Sequence, residues 1–332
     1  MDGVSFTDVN TGTAVGMGGT ILRTTNGGTN WISQFSGTTS SLSDVFFIDS
    51  NTGIAVGSSG TILRTTNSGA NWILQSSGTT NSLNSVFFTD ANNGTTVSGG
   101  GTIHRTTNGG IIWTLQSSGT FNPLHSVFFT DSNNGTVVGW YGTILRTTNG
   151  GITWTSLSSG TIKTLLGVFF TDSNNGTVVG WDGTIIRTTN NGTNWVSQSS
   201  GTTKTLWGVF FIDANNGTVV GQNGTIIRTT NGGGTFVYKI SNEIPKGFSL
   251  YQNYPNPFNP VTNIRFDIPK PSYVRLTIYN ILGKEIATLV NKKLNAGSYE
   301  VDWNGADYPS GVYLYKLTTE EFADTKKMIL LK

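Results

Sequence analysis

One motif recurs at a fixed spacing through the first 240 residues of the chain. RTTNGGTNW, residues 23–31, returns five times with small changes, and its arginine falls every 41 residues in six copies. An aspartate column keeps the same spacing, as does a tryptophan column that ends in Phe236. A fixed period of this length indicates a repeat protein in which each copy is one supersecondary unit. The chain must therefore fold as a series of copies of one unit.

Each copy contains four short β-rich runs and no helical periodicity. Residues 124–158, for example, contain LHSVFFTD, GTVVGW, GTILRTT and ITWTSL, separated by turn residues. A repeat of about 40 to 45 residues with four strands is typical of one blade of a β-propeller. The sequence thus predicts an all-β fold with a six-bladed β-propeller, or with part of a seven- or eight-bladed one whose first blades are missing.

The four strands of a blade are called A to D here, outward from the propeller axis. Blade one then covers residues 3–34 and blade six covers residues 208–240. Because the copies begin and end in phase, we expect the propeller to close without a strand exchanged between its two ends.

The distribution of charge changes near residue 240. Residues 1–240 hold nine basic and nine acidic side chains. The much shorter segment 241–332 holds 11 basic and nine acidic side chains. Neither part has the basic excess of a nucleic-acid-binding protein. A domain boundary is therefore expected close to this point.

The segment after the boundary has a different pattern. Alternating apolar residues such as Ile264, Phe266 and Ile268 read as half-buried antiparallel strands. The sequence predicts a propeller domain over residues 1–240 and a linker at 241–247. A small Ig-like β-sandwich is expected over residues 248–332.

Two absences in the sequence exclude several kinds of function. The chain has no cysteine, which excludes disulfides, thiolate metal sites and cysteine catalysis. No apolar run approaches the roughly 20 residues of a transmembrane helix, and no nucleotide or cofactor motif is present. We expect no cofactor, no nucleic-acid partner and no transmembrane segment.

The recurring motif has the composition of a structural turn. Thr and Asn side chains can pair with the backbone N–H groups of a C–D turn, and Gly28 suits a positive φ. The aromatic residue that follows can fold over the turn. We call this turn, together with the aromatic residue folded over it, the brace, and we expect one brace in each blade. The brace residues are Asn26, Trp31, Asn67, Trp72, Asn108, Trp113, Asn149, Trp154, Asn190, Trp195, Asn231 and Phe236.

The motif also resembles a known family of repeats. Thr24-x-Asn26-x-Gly28-x-x-Trp31 is similar to the Asp-box, or bacterial neuraminidase (BNR), repeat of sialidases and other propellers. The whole unit is more similar to the photosystem II stability/assembly factor-like propellers, over residues 1–240. All six copies carry Asn in place of the Asp, which removes a charge from the turn. The resemblance implies a propeller and does not by itself imply an enzyme.

The arginine and aspartate columns end on one face of the predicted disc. Asp131 follows strand A and Arg146 ends strand C of the same copy, so we expect the two columns to form structural ion pairs. The Asp131-x-Asn133-x-Gly135 pattern is similar to the start of a calcium loop but lacks the later acidic ligand. No metal site is predicted.

A sialidase-like hydrolase requires acidic side chains that this propeller lacks. The first glutamate of the chain is Glu243, and outside the repeated column only Asp2, Asp44 and Asp182 remain. Glycoside hydrolysis usually needs two facing carboxyl groups. His104 is expected to be a packed strand residue. The sequence therefore favours a protein that is not an enzyme.

Positions that vary among the copies indicate where function can lie. The B–C turns and D–A connections emerge on the same face of a four-stranded blade. In blades four to six they carry aromatic and polar residues that suit a glycan or a protein partner. Packing between the blades is the alternative role. The candidate ligand-binding residues are Trp140, Tyr141, Trp181, Asp182, Trp207 and His125.

The C-terminal segment carries a proline-rich motif followed by glycine, tyrosine and lysine positions: Tyr254, Pro255, Asn256, Pro257, Phe258, Asn259, Pro260, Gly283, Gly311, Tyr313 and Lys327. With these residues the segment closely resembles the type A C-terminal sorting domain of the type IX (Por) secretion system. The resemblance implies export across both bacterial membranes, interaction with the secretion machinery, and release or attachment at the cell surface.

Such export requires a signal peptide, and the start of the chain, MDGVSFTDVN, has no such pattern. Met1 occupies the repeat position of Leu42 and Leu83. We therefore expect that the sequence is incomplete at its N-terminus.

Three functions remain open from the sequence. The favoured one is an exported, non-catalytic propeller that binds a glycan or protein partner on its variable face. The alternatives are a sialidase-like glycoside hydrolase and an assembly or scaffold factor of the cell envelope.

Overall fold

The computed structural model describes residues 1–229, 232, 237–241, 243–305 and 308–332, and these residues form an all-β protein. It divides into two compact units. The first contains Met1–Trp195, Thr202–Ala214 and Thr218–Arg228, and the second contains Thr229–Lys332 with two short segments from the last repeats. No helix in the described part of the chain has the length and apolarity needed to span a bilayer.

Each of the first five repeats forms one antiparallel, four-stranded sheet in the order A-B-C-D, and the sixth forms a three-stranded sheet. These sheets are called blades one to six. Their strands are β1 Gly3–Phe6, β2 Gly12–Gly16, β3 Thr20–Thr24 and β4 Ile32–Gln34; β5 Leu42–Phe47, β6 Gly53–Gly57, β7 Ile62–Thr65 and β8 Ile73–Gln75; β9 Leu83–Phe88, β10 Gly94–Ser98, β11 Ile103–Thr106 and β12 Thr114–Gln116; β13 Leu124–Phe129, β14 Gly135–Gly139, β15 Ile144–Thr147 and β16 Thr155–Leu157; β17 Leu165–Phe170, β18 Gly176–Gly180, β19 Ile185–Thr188 and β20 Val196–Gln198; and β21 Leu206–Phe211, β22 Gly217–Gly221 and β23 Ile226–Thr229.

The B–C turns of all blades except the third are single turns of 3₁₀ helix. Their central residue has a positive φ, as at Gly18 with φ 65° and Tyr141 with φ 53°. These short helices are η1 Met17–Gly19, η2 Ser58–Gly60, η3 Trp140–Gly142, η4 Trp181–Gly183 and η5 Gln222–Gly224.

Burial along the strands follows their position in the blade. All five residues of strand B are buried in blades one to five, as in the GTVVG run of β14. Successive side chains of strand B point to opposite faces of the sheet, and each face is covered by a neighbouring blade: Val137 packs in the core shared with blade three and Val138 in the core shared with blade five. The outer strand D has only three residues and carries exposed side chains, which keeps the sheet edge short.

The hydrophobic cores lie between successive blades. In the first of them, Val15 and Ile21 from strands B and C of blade one pack with Leu42, Val45 and Phe47 from strand A of blade two. The same combination recurs at the next four boundaries. Phenylalanines of neighbouring A strands also contact each other, from Phe46–Phe87 to Phe169–Phe210, with ring centroids 5.1–5.2 Å apart. Every boundary between blades is thus built in the same way.

The sixth blade differs from the sequence expectation. A fourth strand was expected before residue 240, but the strand β24, Val237–Ser241, pairs with the strand β29, Gly297–Asn304, in the second unit. Val237 lies opposite Val301, and Lys239 lies opposite Tyr299. The edge of β29 offers unpaired backbone N–H and C=O groups that an extended segment can complete. Residues 237–241 therefore complete a sheet of the C-terminal unit.

The C-terminal strands form two antiparallel, four-stranded sheets. One has the order β24-β29-β26-β25 and the other β28-β27-β30-β31. Side chains of both sheets share one core, in which Phe266 and Tyr315 are fully buried. The strands not yet given are β25 Ser249–Leu250, β26 Val261–Ile268, β27 Ser272–Asn280, β28 Glu285–Leu294, β30 Gly311–Thr318 and β31 Ala323–Leu330.

Candidate binding face

The repeated motif forms a closed set of hydrogen bonds within each C–D turn. In blade three the Thr106 hydroxyl donates to the Asn108 Oδ1 at 3.0 Å and accepts the N–H of Gly110 at 3.0 Å. The same Asn108 oxygen accepts the N–H of Ile112 at 2.9 Å. Equivalent bonds occur in the other blades from one to five. The polar groups of the motif are therefore used inside the turn.

The aromatic residue of the motif covers its own blade. Trp113 is 7% exposed, packs edge-on against Phe88 and donates from its Nε1 to the Gly110 carbonyl at 3.1 Å. Trp72 and Trp195 are equally buried, whereas Trp31 of blade one is 36% exposed. Asn231 and Phe236, the brace residues expected in blade six, lie outside the described residues.

The arginine column joins each blade to the next one. The Nε of Arg64 donates to the carbonyl oxygen of Gly109 at 2.8 Å, and Arg105 makes the same bond to Gly150 at 2.7 Å. These carbonyls belong to the C–D turn of the following blade. The expectation of direct ion pairs to the aspartate column is wrong for these two arginines, because the guanidinium reaches across the boundary instead.

The aspartate column closes the A–B turns. A carboxylate oxygen of Asp49 accepts the backbone N–H groups of Asn51 and Thr52, both at 2.7 Å. Hydrogen bonds from these N–H groups, Thr52 first, hold the pKa of Asp49 below its ordinary value. In blade three Asn93 bonds Asp90 and also accepts from Arg105, so an amide links the two columns. These aspartates are turn caps.

The structure brings four of the six candidate ligand-binding residues into one contact cluster. The rings of Trp140 and Trp181 lie 6.4 Å apart, and the ring of His125 also lies 6.4 Å from that of Trp140. Tyr141 meets Trp140 edge-on at 6.1 Å. Trp207 lies on β21, the strand that packs against the η4 turn carrying Trp181. These five residues are called the aromatic row.

The aromatic row is open to solvent. Trp140 is 37% exposed, Trp181 44%, Trp207 54% and Tyr141 68%. Exposed large apolar side chains that lie next to one another on a surface commonly mark a binding site. His125 is half-buried, its Nε2 has no hydrogen-bond partner among the described residues, and burial lowers its pKa. His125 therefore ends the row in blade four, where burial disfavours its charged form.

Four non-glycine residues in the B–C turns of this face adopt a backbone conformation that favours glycine: Ser59, Tyr141, Asp182 and Asn223. Tyr141 and Asp182 both have φ 53°, where blade one has Gly18. A positive φ is unusual for a bulky residue and costs conformational energy. Such outliers concentrate at functional sites. The side chains at these two positions are thus displayed in spite of a backbone cost.

Asp182 is accompanied by a residue that the sequence analysis missed. The Lys163 ammonium pairs with the Asp182 carboxylate at the surface. Lys163 lies in the D–A connection, where the earlier copies have Ser40, Asn81 and Asn122. This third variable column was a signal available in the sequence. The pair gives the aromatic row a polar flank.

The carboxylates outside the repeated column do not make a hydrolytic pair. Asp44 uses both oxygens as acceptors for the backbone N–H groups of Val45 and Val86, each at 2.9 Å. Asp182 is held by Lys163. His104 is 2% exposed within its strand. No group of three or more His, Asp or Glu residues in the described ranges is arranged to hold a metal ion.

The proline segment of the C-terminal unit, residues 254–260, is hydrogen-bonded to the last strand, β31, and the residue after it. Phe258 is buried, and its backbone exchanges hydrogen bonds with Ile329 and Leu331. The Asn256 side chain accepts the N–H of Ile329 at 2.9 Å. The exposed residues of the segment are Tyr254, Pro255, Asn256, Pro257 and Asn259.

The remaining residues of the sorting motif occupy structural positions. Tyr313 is buried beside Trp303 and donates to the Pro309 carbonyl at 2.7 Å. Gly283 has φ 76° in the turn between β27 and β28, and Gly311 begins β30. Lys327 is exposed on β31.

Comparison of the sequence with protein families assigns the C-terminal unit. Residues 252–331 match the family described as "Secretion system C-terminal sorting domain". A comparison with curated proteins found no match. The similarity to type IX sorting domains expected from the motifs is thereby confirmed.

Solved structures are similar to the chain at low sequence identity. YCF48 from Cyanidioschyzon merolae, a photosystem II assembly factor, matches with a TM-score of 0.50 and 18% identity over 69% of this chain and 94% of its own. PorZ, a surface component of the type IX secretion system of Porphyromonas gingivalis, matches with a TM-score of 0.52 and 12% identity over 98% of this chain. This chain spans 58% of the PorZ structure. These similarities show a β-propeller fold, and residues 252–331 match a secretion sorting domain.

Proposed function

We propose that the protein is an exported, non-catalytic β-propeller that binds a glycan or a protein partner through the aromatic row. The observation that supports this function best is the contact between Trp140 and Trp181, two exposed indole rings 6.4 Å apart on neighbouring blades. Exposed Trp and Tyr side chains supply large, rigid contact areas and are enriched among the residues that dominate binding energy.

The backbone of the row supports the same function. Tyr141 is retained at φ 53° although a glycine would fit the turn without strain. Tyr141 is 68% exposed and meets the ring of Trp140 edge-on, so packing within the fold offsets only part of this cost. Its side chain is better explained by contact with a partner.

The export of the protein is proposed from its C-terminal domain. A sorting domain of this family implies passage through the type IX system to the cell surface or the medium of a bacterium. Its exposed proline segment, from Tyr254 to Asn259, is available to the secretion machinery. The domain limits proposed are residues 1–236 for a propeller of six repeats and residues 248–332 for an Ig-like sandwich, to which residues 237–241 add a strand; the linker is then residues 242–247.

A hydrolytic function is less well supported. Asp44 is occupied by backbone N–H groups, Asp182 by Lys163, and the repeats contain no glutamate. General acid/base chemistry on a glycoside needs two free carboxyl groups at a set separation. The sialidase-like alternative predicts turnover of a fluorogenic sialoside, and we expect none.

The test compares two double variants of the full chain. Trp140→Ala with Trp181→Ala removes the centre of the row. Ile111→Ala with Ile152→Ala removes two exposed apolar side chains, 53% and 62% exposed, from the C–D turns on the opposite face. Binding is measured on a glycan array and by capture of surface proteins from the producing cells.

We expect the affinity of the tryptophan variant to be at least tenfold lower than that of the wild type, for each ligand that the wild type binds in these assays. The isoleucine variant should bind as the wild type does. Equal binding by both variants, with unchanged circular dichroism spectra, would contradict the proposed face.

A further inference from the structure

Exposed apolar side chains on the face of the B–C turns extend beyond the aromatic row. Phe121 is 97% exposed and Ile162 is 82% exposed. Both lie in D–A connections, at a position where blades one, two and five have Thr39, Thr80 and Thr203. In blades three and four a large apolar side chain thus stands where the other blades carry a small hydroxyl.

Hydrogen bonds place these two exposed residues beside the turns of the aromatic row. Asn122, next to the exposed phenylalanine, donates from its amide to the Thr143 hydroxyl at 2.9 Å, directly after the η3 turn. Lys163, next to the exposed isoleucine, pairs with Asp182 in the η4 turn. Each of these D–A connections therefore reaches the B–C turn of the following blade.

The exposed side chains of these turns and connections form one surface on blades three to five. These blades pack against a neighbouring blade on both sides, so their exposed residues are those that the blade boundaries do not use. We call Phe121, Trp140, Tyr141, Ile162 and Trp181 the apolar band.

The free polar groups on the side chains of the apolar band can all donate a hydrogen bond. The indole N–H groups of Trp140 and Trp181 and the hydroxyl of Tyr141 have no partner among the residues that the structure describes. An indole N–H can only donate, whereas a phenol can also accept. The polar side chains beside the band are already paired with each other, as Lys163 is with Asp182. The band therefore combines apolar area with free donors.

This combination favours one class of ligand over another. Every hydroxyl group of a glycan brings a donor that needs an acceptor. A proline residue has no backbone N–H, and the carbonyl groups of a polyproline II helix stay free because this helix has no internal hydrogen bonds. A proline-rich segment thus offers apolar rings and free acceptors, which complement the apolar rings and free donors of the band.

We propose that the apolar band binds a proline-rich segment of a partner protein in the polyproline II conformation. This inference rests on the proposed function and names its ligand. Segments of this kind dock against surfaces lined by aromatic side chains. Two residues of a polyproline II helix advance about 6.2 Å along its axis, and the rings of Trp140 and Trp181 lie 6.4 Å apart. Prolines at positions i and i+2 can therefore each contact one indole.

The test measures the binding of fluorescently labelled decaproline to the full chain by fluorescence anisotropy. A decapeptide of alternating Gly and Ser is the control ligand, because it has free N–H groups and no apolar rings. The same proteins are applied to a glycan array.

Three double variants locate the site and separate its two kinds of contact. Trp140→Ala with Trp181→Ala removes both indole rings. Trp140→Phe with Trp181→Phe keeps an aromatic ring at both positions and removes the two N–H donors. Ile111→Ala with Ile152→Ala is the matched control in the C–D turns of the opposite face. Circular dichroism spectra check that all three variants fold.

Wild type should bind decaproline and should not bind the Gly-Ser peptide. The affinity for decaproline should fall at least about tenfold in the alanine pair. It should fall about fivefold in the phenylalanine pair, because two hydrogen bonds are lost while the ring contacts remain. The isoleucine pair should bind as wild type does. Because the charges beside the band are paired, the affinity should change little with salt concentration.

Several results would overturn this proposal, and they differ in what they mean for the aromatic row. If wild type binds a glycan and not decaproline, and the alanine pair loses this binding, the row is a binding site and its ligand is a glycan. If the alanine pair binds decaproline as tightly as wild type does, the peptide binds elsewhere. An unchanged affinity of the phenylalanine pair would contradict the role of the indole donors. If wild type binds neither decaproline nor a glycan, this inference is wrong, and the capture of surface proteins alone decides the proposed function.

Discussion

A carboxylate oxygen of Asp44, in strand A of blade two, accepts the backbone N–H of Val86, in strand A of blade three, at 2.9 Å. The other oxygen accepts the N–H of Val45. Burial raises the pKa of Asp44 to about 6, while its hydrogen bonds to Val86, Ser85 and Val45 act in the opposite direction. The same position holds Ser85 and Ser126 in blades three and four and glycine in the other three copies. One ionisable group thus bridges two blades at a position where the other copies have serine or glycine.

This carboxyl should make stability depend on pH. Because its folded pKa lies above the ordinary value of 3.8, its contribution is greatest below about pH 4 and is lost as the pH rises through about 6. We expect the free energy of unfolding of Asp44→Ser, relative to wild type, to rise by about 2 to 3 kcal/mol between pH 4 and pH 7. Urea unfolding at a series of pH values measures this, and a difference that is flat or falls would contradict the raised pKa.

The brace tryptophans should contribute unequally. Trp113→Ala removes a side chain that is 7% exposed and should cost about 3 to 5 kcal/mol of unfolding free energy. Trp31→Ala removes the same residue at 36% exposure and should cost less than about 2 kcal/mol, because less apolar area is lost from the core. Thermal and urea unfolding of the two variants show which one loses more unfolding free energy. Equal losses would show that the contribution of the brace tryptophan does not depend on how deeply it is buried.

The asparagine of the brace is expected to act only as an acceptor. Asn108→Ala leaves the Thr106 hydroxyl and the Ile112 N–H without their shared oxygen and should cost about 1 kcal/mol. Asn108→Asp keeps that oxygen and should preserve or slightly increase stability. The urea midpoints of the two variants provide the comparison, and a larger loss for Asp than for Ala would show that the amide nitrogen is the important group.

The Tyr141 side chain should lower the stability of the fold and strengthen ligand binding. Tyr141→Gly replaces a bulky residue at a positive φ with one that adopts this conformation without strain. We expect the free energy of unfolding to stay unchanged or to rise by up to about 1 kcal/mol, and the melting temperature to stay unchanged or to rise with it. The same variant should weaken ligand binding. Ser59→Gly, at φ 56° in blade two, relieves a similar turn and should leave binding unchanged. A marked loss of stability in Tyr141→Gly would mean that the ring packs within the fold.

A buried tyrosine should anchor the proline segment of the C-terminal unit. The Tyr315 hydroxyl donates to the Tyr251 carbonyl at 2.9 Å and accepts the N–H of Asn253 at 2.8 Å. Tyr315→Phe leaves two buried backbone groups without a partner and should cost about 1 to 3 kcal/mol. Tyr273→Phe, whose parent side chain is 51% exposed, is the control and should change stability little. Chemical unfolding of the full chain, monitored at the C-terminal unit by hydrogen exchange, measures both.

The repeat made much of the propeller predictable. The repeats follow a strict period of 41 residues. The position of a strand such as β14 and of the turns beside it in blade four therefore gives the corresponding positions in the other repeats. The clustering of Trp140 and Trp181 also followed from topology, because the B–C turns of adjacent blades lie on one face. Both inferences needed only the repeat spacing and the order of the strands within one blade.

Other features depend on contacts that the sequence pattern does not encode. Residues 237–241 alternate in a way that fits any sheet edge, and their partner β29 lies about sixty residues away in sequence. The bond from Arg105 to the Gly150 carbonyl was missed because a charged column suggests a charged partner, while the guanidinium meets a backbone oxygen of the next blade. Tertiary packing decided both cases.

The uniform blade boundary has a consequence for how such a chain can change over generations. Since Val15 and Ile21 meet the next blade as Val138 and Ile144 do, removing or adding one whole 41-residue copy would leave every remaining junction compatible. The number of blades can therefore change by whole copies without creating a new kind of junction. Substitutions confined to the B–C turns can then diversify each new copy independently of its frame.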